Sequence, residues 1–239
     1  MKIASITAKG GCAKNEDAVS RLTRGEICCM VAADGVGAHG SGDIASGVAV
    51  DTILRAFSAH AEVSENAAAS YMQAANTAIE ELKRSNKTMS DIAASVVMVV
   101  ADRKSAVMAY CGNCRIYRIS GKLIQEVSDD QTGAFAAFMD GKLRYSEIRN
   151  NPAKDNVMYR LGDGSGFHAV ISGEVKLKGR DKFLLCTDGL WEYVTEDFIE
   201  WSLNGAKAPR DWLERLVAER RKNAPEYSDN YSAITFFAK

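Results

Sequence analysis

Four times in this 239-residue chain an acidic residue stands at the end, or just outside the end, of a run of strand-forming residues. Glu16 and Asp17 stand in KNEDAVS, Asp34 in VAADGVG, Asp188 in LLCTDGLWE and Asp229 in YSDNYSAITFF. Strands buried in a sheet bring their ends to a common rim, so acids placed this way converge there. Converged carboxylates repel each other unless a cation lies between them. Hard oxygen donors of this kind suit Mg²⁺ or Mn²⁺. A lone Asp-Gly pair is a turn signal and no more. Two of them, at Asp34–Gly35 and Asp188–Gly189, each following an apolar run, leave a turn and a metal site both open.

The strands themselves are legible. KIASIT, DAVSRL and EICCMVAAD are rich in β-formers or alternate in polarity. GDIASGVAVDTILRAFSAH has apolar residues at helical spacing, and SENAAASYMQAANTAIEELKRS reads as a second helix, capped by Ser64 and closed by basic residues. From Asp91 to Asp130 the pattern becomes consecutive strands with turns at ADRKS, CGN and SGK, which predicts an antiparallel meander. Residues 131–156 are polar and irregular and read as a surface insertion with helical turns. A strand (DKFLLCTD), short helical material to Leu203, a helix opened by Pro209 and a last strand (SAITFFAK) complete the chain. The class is α+β with mainly antiparallel sheets, and with no linker-like stretch the whole of 1–239 reads as one domain.

Composition excludes several functions. A net charge of −1 gives no basic excess for nucleic acid or an anionic membrane. The first residues lack the apolar core of a signal peptide, and no apolar run nears the roughly 20 residues that span a bilayer. A cytoplasmic location follows as the expectation, with six reduced cysteines. Cys111 and Cys114 match C-x-x-C but flank a turn, so they read as core thiols. Cys28 and Cys29 are predicted to face opposite sides of their strand. Trp191, Trp201 and Trp212 read as core anchors and Asp163 as structural.

KNEDAV, VAADGVGAHGSGDIAS, LLCTDGLWEYV and SDNYSAITFF, in this order, resemble the metal-dependent serine/threonine protein phosphatases of type 2C. YCGNCRIYRI, VSDDQT and NVMYRLGDG add to the likeness, which covers essentially the whole chain. The resemblance implies a four-layer αββα sandwich of two mainly antiparallel sheets flanked by helices, with 131–156 as a variable flap. It implies two Mn²⁺ or Mg²⁺ ions: Asp34 bridging, Glu16 and the Gly35 carbonyl completing one, Asp188 and Asp229 holding the other. Asp17 would order a metal-bound water, and Asn15 and Asn230 would support the rim. Hydroxide generated between the ions would attack phosphoserine or phosphothreonine in a phosphoprotein, opposing a bacterial serine/threonine kinase. The glycines after Asp34 would then clear space for a metal ion.

Three departures from the family pattern stand out. Cys12 occupies the place of an arginine that grips substrate phosphate, and Lys14 is the expected substitute. Asn113 replaces an aspartate associated with a third metal, which makes a third ion doubtful. Val36 stands where some relatives carry a histidine, leaving His39 as the candidate acid for the leaving group. The expected molecule is a monomeric phosphatase binding neither nucleic acid nor membrane. A catalytically silent binding module and a hydrolase of small phosphoesters are the alternatives.

Overall fold

The computed structural model describes residues 1–238, without the side chain of His39. Eleven strands among these residues form two antiparallel sheets. One sheet contains β1 (Lys2–Ala8), β6 (Arg115–Ser120), β7 (Leu123–Val127), β10 (Asp181–Cys186) and β11 (Tyr231–Phe237), in the order β1-β11-β10-β6-β7. The other contains β2 (Asp17–Arg24), β3 (Ile27–Val36), β4 (Ala93–Ala101) and β5 (Ser105–Cys111), with the two-residue strands β8 (Val170–Ile171) and β9 (Val175–Lys176) beside β5.

Alternation along the strands builds three apolar layers. Met30, Val97 and Val99 meet Phe183, Leu185, Ile234 and Phe236 between the sheets. Cys29, Val31, Val96 and Met98 face outward onto α1 (Gly42–Ala59) and α2 (Glu65–Ser85), through Ile53, Phe57, Met72 and Ile79. On the far side Tyr117, Leu184 and Ala233 pack under α5 (Asp188–Trp191), α6 (Glu196–Ser202) and α7 (Pro209–Asn223). The αββα sandwich is thereby established. Cys28 lies between the sheets and Cys29 under the helices, on opposite faces as the period of two requires. All six cysteines are free.

Local signals place the helices. The Ser64 hydroxyl accepts the Ala67 N–H at 3.2 Å, and Pro209 occupies the first turn of α7. Trp212, Leu213, Leu216 and Val217 form the buried face of α7. Trp191 and Trp212 are core residues, but Trp201 is 63% exposed on α6 and anchors nothing. Ile199 and Ser202 form the buried face of this short helix, and Trp201 lies outside it.

The expected meander is corrected. β4 pairs with β5 and β6 with β7, yet β5 and β6 belong to different sheets. The chain crosses between layers at Cys111–Cys114. Gly112 makes the crossing with φ +98°, and a Cβ there would lie 2.3 Å from Ser95 Oγ. Both strands are buried on both faces, so their polarity carries no record of which sheet each joins.

Residues 131–156 form α3 (Gly133–Met139), α4 (Tyr145–Ile148) and a 3₁₀ turn at Pro152–Lys154. A bridge between Thr132 and Val157 closes the segment at its base. Of its basic residues Lys142 and Arg144 stay exposed, and two others are engaged. Arg149 donates to Glu196 at 2.6 Å and to the Val194 carbonyl at 3.1 Å, and Lys154 pairs with Glu192, so the flap is stapled to the α5–α6 region.

Candidate active site

The acids of the opening motif do converge. Asp17 and Asp34 are direct cross-strand partners at the end of the β2–β3 ladder. Like charges opposite one another destabilise a sheet unless something offsets them. Thr187, one residue past β10, donates its hydroxyl to Asp17 Oδ2 at 2.8 Å and accepts the Ser232 N–H at 2.9 Å. One threonine therefore ties the acidic rims of both sheets together. Asp188 opens α5, and Asp229 stands two residues before β11, the strand beside β10.

Together Glu16, Asp34, Gly35, Asn113, Asp188, Asp229 and Asn230 line a cleft of ≈ 390 Å³, with Asp155, Val157 and Arg160 on its flap-proximal side. The supporting hydrogen bonds are dense. Asn230 accepts the Glu16 N–H at 2.7 Å and donates to the carbonyls of Lys9 and Lys14 at 2.8 and 2.9 Å. Asn15 donates to Thr7 Oγ1 at 2.7 Å and accepts from the Asp17 N–H at 3.3 Å. Glu16 Oε1 accepts the Gly42 N–H at the start of α1 at 2.7 Å, where a carboxylate complements the helix dipole. Asp188 accepts from its neighbour Gly189 and from the Asn113 amide, and Asp229 from Asn230.

The electrostatics are those of an unneutralised acid cluster. Burial, then the charges of Asp188, Asp17 and Asp229, raise Asp34 well above the carboxylate range. Burial and Asp229 push Asp188 up to about 8. Asp17 rises to about 7, mainly through burial, against the hydrogen bonds it accepts. Among the described residues no group of three or more His, Cys, Asp or Glu side chains stands close enough together to hold a metal ion as it is. The fit to divalent cations rests on donor chemistry: hard oxygens, mutually repelling and partly dehydrated, sharing one cleft.

The glycines have a different office from the one expected. A Cβ on Gly35 would lie 1.8 Å from the Gly42 carbonyl oxygen, and one on Gly42 2.2 Å from that of Gly35. A Cβ on Gly189 would lie 1.9 Å from the Asn230 carbonyl oxygen. What comes so close is main chain. The glycines let the start of α1 press on the end of β3, and α5 on the approach to β11, which sets the acids at one level. At these three glycines the space is taken by backbone.

Lys14 is occupied: its ammonium donates to Asp43 at 2.7 Å and to the Gly40 carbonyl at 2.8 Å, bracing the glycine-rich loop. Cys12 lies at the rim with its thiol 3.6 Å from Asp229 Oδ1. The His39 side chain, the expected leaving-group acid, lies outside the described residues. Asp163 is structural, accepting from the N–H groups of Arg160 and Ser165. The sequence reading missed Thr187 and Arg160. Thr187 adjoins an expected ligand, and a hydroxyl beside buried acid was the available signal.

The family model of protein phosphatase 2C matches residues 10–225. The chain belongs to the protein phosphatase 2C family. The serine/threonine phosphatase stp of Listeria monocytogenes is 26% identical over 210 residues, covering 86% of this chain and 82% of that protein. The crystal structure of serine/threonine phosphatase Stp1 from Staphylococcus aureus has a TM-score of 0.89 at 23% identity, covering 98% of this chain and 94% of that one. The catalytic domain of the phosphatase PstP in complex with two manganese ions has a TM-score of 0.84 at 19% identity, covering 98% and 96%. At such identities these structures speak for the protein phosphatase 2C fold.

Proposed function

We propose that this protein phosphatase 2C member hydrolyses phosphoserine and phosphothreonine in proteins at a centre of two divalent cations, Mn²⁺ or Mg²⁺. The enzyme class, a metal-dependent protein serine/threonine phosphatase, follows from the family. The observation that carries the finer reading is the meeting of Glu16, Asp34, Asp188 and Asp229 in one cleft. Asp34, Glu16, the Gly35 carbonyl, Asp188 and Asp229 are the groups that would hold the ions, Glu16 and Gly35 on one side of Asp34 and Asp188 and Asp229 on the other. Such ions, when bound, supply an acidified water and positive charge for the phosphoryl oxygens.

The remaining work falls to the chain. Asp17, fixed through Oδ2 by Thr187, orients the attacking water beside Asp34. Asn113 holds Asp188 by an amide N–H, so it supports two ions and no third is part of the proposal. Asn15 and Asn230 keep the loop before β2 in place. The partner is a phosphoprotein, and the opposing activity is that of a serine/threonine kinase. We place the enzyme in the cytoplasm as a monomer; no helix among the described residues is long and apolar enough to cross a membrane.

Manganese-dependent phosphate release from a phosphothreonine peptide, abolished by Asp34→Asn, is the expected result. Peptide binding without turnover would favour the binding module. Faster turnover of small metabolite phosphates than of peptides would favour the phosphoester hydrolase.

A further inference from the structure

One cation on the acidic cleft forms no salt bridge among the described residues. Arg160 lines the cleft with Asp34, Asp188 and Asp229. Its backbone is fixed: the N–H donates to Asp163 Oδ2 at 2.8 Å, and the next residue, Leu161, exchanges two hydrogen bonds of 2.9 and 3.0 Å with Ala94 of β4. Ala94 adjoins Ser95, the cross-strand partner of Asp34. The backbone that carries the side chain is therefore anchored to β4 beside the cleft.

Its Nε is buried and has no hydrogen-bond partner among the described residues. Arg118 also has a buried Nε without a partner, but its guanidinium pairs with Glu126 at 3.5 Å, and the remaining enclosed or half-enclosed arginines are paired too. Arg115 is answered by Asp130 and Glu196, Arg149 by Glu196, and Arg220 by Ser228 and two main-chain carbonyls. Buried donors are ordinarily satisfied, and a guanidinium that lines a reaction cleft with no carboxylate hydrogen-bonded to it among the described residues suits an acceptor that arrives from outside. An anion with several oxygens fits a guanidinium fork best. Of the two groups expected to meet such an anion, residue 12 is an uncharged cysteine, and the Lys14 ammonium already donates to Asp43 and to the Gly40 carbonyl.

We propose that Arg160 grips the phosphoryl oxygens of the substrate, taking over the task left open at Cys12. This rests on the phosphatase reading and adds the residue that binds the anion. The rival role is a counter-charge that merely offsets Asp34, and the two roles part experimentally.

Titration of the manganese-loaded protein with inorganic phosphate measures the grip without turnover, and titration with manganese measures the acid cluster. Arg160→Ala should weaken phosphate binding and raise the KM for a phosphothreonine peptide by about tenfold or more, with a smaller effect on kcat. Manganese affinity should hold or tighten. Arg160→Lys, which keeps the charge and the aliphatic stem, should retain part of the phosphate affinity. Adding Cys12→Arg to Arg160→Ala should recover much of it. Phosphate affinity within twofold of wild type in both Arg160 variants would overturn the proposal, and so would a parallel loss of manganese and phosphate binding. A wild-type protein that binds phosphate through Arg160 yet turns over no phosphopeptide would sink the phosphatase reading alone.

Discussion

The side-chain amide of Asn113 donates to Asp188 Oδ2 at 2.9 Å, while the main-chain carbonyl of the same residue accepts the indole N–H of Trp191, also at 2.9 Å. Ser95 completes the hold by donating its hydroxyl to Asn113 Oδ1 at 2.9 Å. One buried residue at the crossing between the sheets thus aims a proposed metal ligand. Residues that orient a ligand typically change metal affinity about 10–100-fold when removed. Asn113→Ala should weaken manganese binding by that order, measured by calorimetric titration. Asn113→Asp exchanges a donor for a charge beside Asp188; it should lower the Tm of the metal-free protein and steepen its response to manganese.

Gly35 and Gly42 touch main chain to main chain, so neither tolerates a side chain without separating β3 from α1. Gly35→Ala should cost at least about 1–3 kcal/mol in denaturant unfolding, with weaker manganese binding. Gly47→Ala, in the interior of α1 with nothing within 4 Å of its Cβ, is the control: it should leave manganese binding unchanged and raise stability by about 0.5–1 kcal/mol.

Arg115 and Asp130 form a buried pair, 2.6 Å apart with side chains 2% and 1% exposed. The Arg115 guanidinium also lies 3.7 Å over the Trp191 ring. Removing one partner leaves the other charged and enclosed. Asp130→Ala should cost about 3–5 kcal/mol of unfolding free energy, read from chemical denaturation. Because Glu196 joins Arg115 to Arg149, the same change should increase proteolysis within 131–156.

The raised carboxyls of Asp17 and Asp188 set a pH dependence. In the unfolded chain both lose their protons near pH 4; in the metal-free fold they keep them until about 7 and 8. The folded state then binds more protons across that window, so stability falls as pH rises from about 4 to 8. Divalent cations favour the ionised acids and oppose the trend. The Tm of the metal-free protein should decline over this range, and the gain in Tm on adding manganese should be larger at pH 8 than at pH 5.

Residues with strong local signals were readable in advance. The Ser64 cap, Pro209 and the apolar face of α7 follow from chemistry confined to a few neighbours. The acids at 16, 17, 34, 188 and 229 were readable because each lies where a strand must end. The sheet change at Gly112 was not, since β5 and β6 are buried on both faces and polarity cannot tell one core layer from another. The glycine contacts were hidden for a related reason: a glycine records that something is near, but not what. Thr187 and Arg160 act across long sequence separations, which local pattern does not encode.

A crystal soaked in manganese, mapped by anomalous scattering, tests the central claim. Two peaks in the acidic cleft, roughly 3.5–4 Å apart, with Asp34 between them and Asp188 and Asp229 on one, are the predicted result. A fully loaded crystal with no peak in that cleft, or with peaks away from Asp34, would contradict it.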